Sequence, residues 1–291
     1  IAENGPARVS MTIVRSQDNS TYEQTISLCE GAGRDVVRVD NTFMWKTFWN
    51  RAGTLCKASF PFSISNDTAS YDIGIGVIRR GINTDRQYEV PAQQWADLTA
   101  TDNSYGISIL SNRCMGWDKP NAHTLRLSIV RSPYVAKKYS NPPGSIEPPL
   151  GKSSATMRSY FHQVQDWGEH RFAYGIVGHT GGWSDASIPS KAEKFNQPMM
   201  VFETRAQSIE KTLGNTLSLV KLNKENIKVN TLKKAEKSDE IVLRLLETHG
   251  IAETNVTVTL PSAITNAREI NGAEEPRDGS VTITDGKLVV K

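Results

Sequence analysis

The feature that most constrains the fold is a succession of short segments in which apolar and polar residues alternate. Residues 8–14 are an example, because Val9, Met11 and Ile13 fall on one face if the segment is extended. Alternation with a period of two over about four to eight residues is typical of a half-buried β-strand. Similar strand-length segments occur at 22–28, 35–39, 55–62, 73–78, 106–110, 125–130, 172–177, 217–222, 227–232, 240–247, 254–260, 280–284 and 288–290.

Turn signals separate these segments, and helix signals are scarce. Clusters of Asp, Asn, Gly and Pro occur at 18–20, 31–33, 83–85 and 118–121. A short helix fits best at 209–219, but Gly214 interrupts that pattern. An α/β fold would need several crossover helices, so we predict an all-β sandwich or barrel.

The chain contains one long stretch that does not resemble core. Residues 133–165 begin with a run rich in Pro, Ser, Gly and Lys, which predicts a loop insertion between strands. A second connecting stretch is predicted at 189–198, and the strand pattern then resumes. We therefore predict a large domain over 1–203 and a smaller one over 204–291.

Composition excludes several classes of function. The net charge is +3 and the basic residues are scattered, which argues against a nucleic-acid partner. No apolar run approaches the roughly 18 residues that a membrane span needs, so we predict no membrane span. The three cysteines include no CxxC pair. Because the chain starts at Ile1 and not at Met, we expect a piece of a longer protein whose compartment is not readable here.

The sequence offers no strong catalytic or metal-binding motif. His162, His170 and His179 could converge from adjacent strands, but neither an HExxH motif nor a set of flanking carboxylates accompanies them. There is no GxSxG nucleophile elbow. Four carboxylates qualify as catalytic candidates by residue type alone: Asp97, Asp102, Asp166 and Glu169. We therefore predict no catalytic residue and no metal site in this chain.

Tryptophans give the best hint of ligand binding, because aromatic faces stack on the apolar faces of sugar rings. Trp45 and Trp95 lie in strand-like sequence, and we predict that they belong to the core. Trp117 and Trp167 lie in turn-rich sequence, and we predict that they are exposed.

Several collinear segments together resemble the C-terminal region of glycoside hydrolase family 38, the α-mannosidases. The clearest is Asp166-Trp167-Gly168-Glu169-His170, followed by Phe172-Ala173-Tyr174, which resembles the family's Asp-x-Gly-x-His and Phe-x-Tyr. His179 then falls where the family has its Pro-His. The other similar segments are 55–62, 71–80, 88–98, 105–112, 125–133, 233–236 and 242–250. One departure is Arg80-Gly81, where the family usually has Arg-Pro.

The resemblance implies the C-terminal, non-catalytic half of a retaining α-mannosidase that acts on mannose-containing glycans. It implies a galactose-mutarotase-like super-sandwich followed by a smaller β-sandwich, packed on the protein's own N-terminal catalytic domain. The family's aspartate nucleophile and zinc ion belong to that missing domain. We therefore expect no cofactor in this fragment, zinc in the full-length parent, and an exposed apolar patch where the missing half would pack.

Two other functions remain open at this point. The first is a stand-alone carbohydrate-binding module, and the second is a mutarotase-type enzyme in which His170 works with Glu169 or Asp166. The side chains that we predict to face a substrate cleft are Arg79, Arg80, Trp117 and His170.

Overall fold

The computed structural model describes residues 1–17, 19–46, 54–132, 166–203, 215–279 and 281–290. The predicted loop insertion at 133–165 and the predicted boundary at 204 lie outside these residues, as does most of the helix candidate at 209–219. The chain divides into two compact units, one covering 1–74 and 78–198, and the other covering 75–77 and 199–291.

The larger unit is built on a nine-stranded antiparallel sheet. Its strands are β1 (Glu3–Asn4), β2 (Arg8–Gln17), β3 (Ser20–Cys29), β4 (Val37–Trp45), β6 (Ala69–Asp72), β7 (Val77–Arg80), β9 (Trp95–Thr99), β10 (Tyr105–Ser111) and β13 (Gly168–Thr180). Their spatial order is β1-β2-β3-β4-β13-β10-β9-β6-β7. A four-stranded sheet contains β5 (Thr54–Pro61), β8 (Val90–Pro91), β11 (Gly116–Asn121) and β12 (Thr124–Ser132), in the order β5-β12-β11-β8.

The two sheets share one hydrophobic core. Val39 and Phe43 project into it from the nine-stranded sheet, and Leu125 and Leu127 project into it from the four-stranded sheet. The first two residues are four positions apart and the last two are two positions apart, and an even spacing places side chains on one face of a strand. At one side of this core the Trp45 indole donates a hydrogen bond to the Ser132 hydroxyl at 2.6 Å, so a polar contact also joins the sheets.

A helix covers part of the other face of the nine-stranded sheet. Helix α1 (Ile188–Asn196) begins with Pro189 in its first turn, where proline is favoured, and buries Ile188, Ala192 and Phe195. Their spacing places all three on one face of the helix. The sequence analysis assigned these residues to a connecting stretch, and that assignment is wrong. Beside the helix, the rings of Trp95 and Trp183 lie 5.2 Å apart.

The smaller unit is also made of strands. They are β14 (Lys221–Leu222), β15 (Ile227–Lys234), β16 (Ile241–Glu247), β17 (Val256–Thr259), β18 (Val281–Thr284) and β19 (Lys287–Val290). Strands β14, β17, β19 and β18 form one sheet in that order, and β15 pairs with β16. Ile227, Val242, Val256 and Val258 are buried. The prediction of an all-β chain with two sandwich parts is confirmed.

Two local predictions are wrong. The predicted strand at 73–78 is interrupted, because Gly74 adopts a φ of +81° and the chain turns between β6 and β7. The predicted turn at 118–121 is instead part of β11, which pairs with β12 through an irregular register between Asp118 and Asn121.

Candidate functional site

The two predicted arginines lie at the end of β7 and contact their own unit. The Arg79 guanidinium donates a hydrogen bond to the Thr68 hydroxyl at 2.8 Å. Arg80 donates to the Pro91 carbonyl at 2.7 Å, and its guanidinium carbon lies 5.3 Å from the centre of the Tyr71 ring. Arg79 is exposed and Arg80 is half-buried. These contacts hold both side chains in place, and a role in binding substrate stays a prediction.

His170 lies near the start of β13, on the face that also carries Phe172. Its Nε2 atom lies 2.7 Å from the backbone carbonyl of Asp166. The partner predicted from the sequence was the side-chain carboxylate of Glu169 or Asp166. The Glu169 carboxylate accepts a hydrogen bond from Arg171 at 2.7 Å. The structure therefore pairs His170 with a backbone carbonyl, and the Glu169 carboxylate is engaged with another partner.

The prediction that Trp117 faces a cleft is wrong. Its side chain is 0% exposed and belongs to the core between the two sheets. The same residues that we interpreted as a turn form β11, and a strand at that position directs Trp117 inward. Trp167 is half-buried against the core. Trp45 and Trp95 are buried, as predicted.

The strongest concentration of potentially reactive groups is a cluster that the sequence analysis did not identify. His179 on β13, Ser108 on β10 and Asp97 on β9 meet on the face of the nine-stranded sheet that bears α1. The His179 Nε2 atom is 2.8 Å from Asp97 Oδ2, and their side chains are 3% and 1% exposed. The hydroxyls of Ser108 and Thr99 donate to the two carboxylate oxygens at 2.7 and 2.6 Å.

The hydrogen bonds of this cluster are arranged for structural stability and not for nucleophilic catalysis. Both ring nitrogens of His179 face acceptors, because Nδ1 lies 3.2 Å from the Gly181 carbonyl and Nε2 lies 2.8 Å from the Asp97 carboxylate. Ser108 donates its proton to Asp97, so its hydroxyl proton is directed away from the imidazole. A Cβ atom at Gly106 would lie 2.4 Å from His179 Cε1, so the strand closes directly over the ring. Buried carboxylate and imidazole compensate each other here.

The sequence drew attention to Asp97 and to His179, but for separate reasons. Asp97 was a candidate by residue type, and His179 was noted through the family resemblance. The signal that joins them is strand register: Ser108 lies opposite Asp97 on one side and Val177 on the other. Sequence spacing alone does not reveal that register.

A second charged cluster lies on the four-stranded sheet around Asp118, whose side chain is 1% exposed. Lys57 from β5 approaches one carboxylate oxygen at 2.5 Å, and Arg126 Nε from β12 approaches the other at 2.7 Å. The next residue, Lys119, is fully buried, and its Nζ donates a hydrogen bond to the Asn121 carbonyl at 2.8 Å. Burial lowers the pKa of Lys119 to about 8, and the charge of Asp67 offsets part of that effect.

The resemblance implies a zinc ion in the parent protein, so we asked whether side chains of this chain could bind it. Within the described ranges, no three His, Cys, Asp or Glu side chains are grouped so that they could hold a metal ion. The Asp97–His179 pair is fully engaged by neighbouring groups. These residues do not fit a zinc site, and we assign no zinc-dependent step to them. Among the helices that the structure describes, none is long and apolar enough to cross a membrane.

The sheets and their shared core define an all-β sandwich region. Two family models match this chain: the glycosyl hydrolases family 38 C-terminal domain over residues 1–138, and the family 38 C-terminal beta sandwich domain over residues 226–291. The chain therefore belongs to glycoside hydrolase family 38, and it corresponds to the C-terminal region of that family.

Individual relatives agree with this assignment. Alpha-mannosidase G of Dictyostelium discoideum is 28% identical over 292 residues, a match that covers 96% of this chain and 24% of the relative. Human alpha-mannosidase 2C1 is 24% identical, with 98% of this chain and 25% of the relative covered. The crystal structure of an alpha-mannosidase from Enterococcus faecalis V583 has the same fold, with a TM-score of 0.69 at 13% identity over 100% of this chain and 33% of that one. The chain thus spans about a quarter of the length of these relatives.

Proposed function

We propose that this chain is the non-catalytic C-terminal half of a retaining α-mannosidase that hydrolyses terminal α-mannosides. The observation that carries the proposal is the match of two family 38 C-terminal models to the two ends of the chain. The Dictyostelium and human relatives are α-mannosidases about four times as long as this chain. The aspartate nucleophile and the zinc ion that the family resemblance implies would then belong to the remainder of the parent protein.

The state of the buried polar groups supports the non-catalytic role. Asp97 and His179 are sealed from solvent and engaged with each other. Asp118 is enclosed by Lys57 and Arg126. A catalytic carboxylate must reach a substrate, and both of these carboxylates have about 1% of their side-chain surface exposed.

Exposed apolar side chains on β2 and β3 support contact with the rest of the parent. Val9 lies directly opposite Leu28, and Met11 lies opposite Ile26 on the same face. Val9, Met11 and Leu28 are all exposed, whereas Ile26 packs against the core. The four-stranded sheet covers this face of the nine-stranded sheet at other strands. At β2 and β3 the same face is therefore exposed and apolar. In the proposed assembly, the catalytic part of the protein packs on this face.

Arg79, Arg80 and His170 remain the residues of this chain that we propose border the substrate cleft. Arg79 is exposed at the end of a strand, and its guanidinium retains donors beyond the one that reaches Thr68. His170 lies at the strand start, also with only part of its surface buried. The matched control for Arg79→Ala is Arg171→Ala, which removes an exposed arginine paired with Glu169.

The decisive experiment is hydrolysis of an aryl α-mannoside by this chain and by the full-length parent, with and without added zinc. We expect the parent to be active with zinc and this chain to be inactive. Activity of this chain alone would contradict the proposed location of the catalytic residues. An inactive parent would contradict the substrate class. If Arg79 borders the cleft, R79A in the parent raises KM at least several-fold, whereas R171A leaves KM unchanged.

A stand-alone carbohydrate-binding module is the second candidate function. It rested on exposed tryptophans, and the burial of Trp117 removes one of the two on which it depended. Isothermal titration of this chain with mannose and with mannose-containing oligosaccharides tests it directly. Saturable binding by the isolated chain would favour the module over the accessory half.

A further inference from the structure

The nine-stranded sheet has an incompletely paired edge at β2. On one side, all ten residues of β2 pair with β3 without a break in register. On the other side, β1 pairs only with Val9 and Ser10. No described residue pairs with 11–17 on that side.

The backbone groups that point to this open edge can be identified by alternation. The Arg8 carbonyl accepts a hydrogen bond from Gly5 N at 3.0 Å, and the Ser10 carbonyl accepts one from Ala2 N at 2.9 Å. In an antiparallel strand, the N–H and C=O of every second residue point to the same side. The amides and carbonyls of Thr12, Val14 and Ser16 therefore face the open edge.

This edge lacks the features that normally protect a strand from pairing. It contains no proline, and its uninterrupted register with β3 shows no bulge. Arg15 is its only charged residue from position 11 onward. Met11 and Val14 are 47% and 58% exposed and lie on opposite faces. A long edge without a proline or a bulge and with a single charged residue is a template for another strand.

The direction and register of β1 indicate which strand fits. Strand β1 is antiparallel to β2, with Glu3 opposite Ser10 and Asn4 opposite Val9. The Ala2 N–H donates to the Ser10 carbonyl, so Ala2 and Glu3 both lie opposite Ser10 and the register shifts by one residue there. Continued from that shift, Ile1 falls opposite Met11, and the residues preceding Ile1 would fall opposite Thr12 and Ile13 in turn. A strand that extended β1 on the N-terminal side of Ile1 would therefore lie along the open edge of β2.

We propose that the segment of the parent polypeptide immediately preceding Ile1 continues β1 along the open edge of β2 and closes the sheet. The inference rests on the proposed function, under which this chain is the C-terminal part of a longer α-mannosidase. The partner is an extended, antiparallel strand that pairs with the edge-facing groups of Thr12, Val14 and Ser16. It would connect the catalytic part of the protein directly to this sheet, beside the exposed face of Val9, Met11 and Leu28.

Hydrogen exchange of the β2 amides tests the proposal in this chain and in the full-length parent. In the chain, we expect the edge-facing amides of Val14 and Ser16 to exchange rapidly, while that of Ile13, which faces β3, is protected. In the parent, we expect exchange at Val14 and Ser16 to slow by about 100-fold or more, because those amides gain partners. Unchanged rapid exchange in the parent would overturn the proposal.

Proline substitutions give an independent readout with a matched control. Val14→Pro removes an edge-facing N–H, which an edge strand tolerates but a paired strand does not. We expect V14P to lower the unfolding midpoint of the parent by clearly more than that of this chain. Ile13→Pro removes an N–H that faces β3, so it should destabilise both proteins. Equal effects of V14P in the two proteins would count against the proposed strand.

The remaining outcomes separate this proposal from its alternatives and from the proposed function. Protection of Val14 in this chain at all concentrations would mean that the chain closes its own edge. Protection that rises with concentration would mean pairing with a second copy, and either result would overturn the proposal. The mannosidase assay is run on the same parent preparation: an active parent with an open edge refutes the strand alone, and an inactive parent with a closed edge refutes the activity alone.

Discussion

Lys119 provides the sharpest test of the energetics of this fold. Its side chain is fully buried, and its Nζ atom has one hydrogen bond, to the Asn121 carbonyl. In the described part of the chain no carboxylate forms an ion pair with it, whereas Lys57 on the same sheet approaches Asp118 at 2.5 Å. A buried ammonium with so few partners is costly, and we predict that Lys119→Met stabilises the protein at pH 7.

The magnitude follows from the pKa of Lys119. Burial lowers it from the ordinary 10.5 to about 8. At about 1.4 kcal/mol per pH unit, this difference means that the charged form destabilises the folded state by about 3 kcal/mol. Replacement by methionine also removes one hydrogen bond worth about 1 kcal/mol, so the expected gain at pH 7 is about 2 kcal/mol.

The pH dependence has a defined sign. Between pH 8 and 10.5 the unfolded chain retains the Lys119 proton that the folded chain has lost. The free energy of unfolding contributed by this group therefore rises with pH across that window, by about 3 kcal/mol in total. Lys119→Met lacks this contribution, so its advantage over the wild type should decline as pH rises through the window and end near or below zero.

Denaturant unfolding followed by tryptophan fluorescence measures this difference. All six tryptophans precede residue 199, so the signal reports the larger unit. The control is Lys57→Met, which removes a partner of the buried Asp118 and should destabilise by about 3 kcal/mol. A constant difference between the wild type and K119M from pH 7 to 10.5 would show that Lys119 titrates normally and would refute the reasoning.

Three further comparisons test individual contacts. Tyr71→Phe should be neutral or stabilise by about 1 kcal/mol in thermal unfolding, because the buried Tyr71 hydroxyl has no hydrogen-bond partner among the described residues. The control Tyr174→Phe loses a hydrogen bond from Gln24 and should destabilise by about 1 kcal/mol. Equal losses of stability in the two variants would contradict this account. Asp97→Asn should lower the unfolding free energy by about 3 kcal/mol or more, whereas Asp102→Asn in an exposed turn should cost well under 1 kcal/mol; equal costs would refute the role assigned to the buried pair. Burial raises the pKa of Glu247, but hydrogen bonds from backbone N–H groups outweigh burial and lower the pKa below the ordinary value. The smaller unit should therefore lose stability as the pH falls below about 4.5 in the wild type but not in Glu247→Gln, which hydrogen exchange measures.

The strand pattern of this chain was predictable wherever one face of a strand is buried. Alternation located β2, β3, β12 and β16 correctly, because apolar and polar residues alternate along part of each of these strands. It did not locate β9, in which four consecutive residues are buried and no alternation is visible. A strand covered on both faces loses the period of two on which the prediction depends.

The helix and β11 were missed for a related reason. Pro189 and Pro198 were interpreted as loop signals, yet proline in a first helical turn is favourable. In β11, the Asp-Lys-Pro-Asn run has the composition of a turn, but ion pairs with Lys57 and Arg126 satisfy Asp118 in an extended strand. Local composition gives the wrong answer where distant residues neutralise a buried charge.

The distribution of polar and apolar groups explains why no active site could be found in this sequence. The titratable groups that could be reactive, such as Asp97, His179 and Lys119, are buried inside the larger unit. The exposed surface of β2 and β3 instead presents Val9, Met11 and Leu28. An independent enzyme would show the reverse, with titratable groups in an open cleft and apolar groups covered. This arrangement of the described residues is the one that we expect if the proposed accessory role is right, because a region that packs on a catalytic part needs stability inside and contact surface outside.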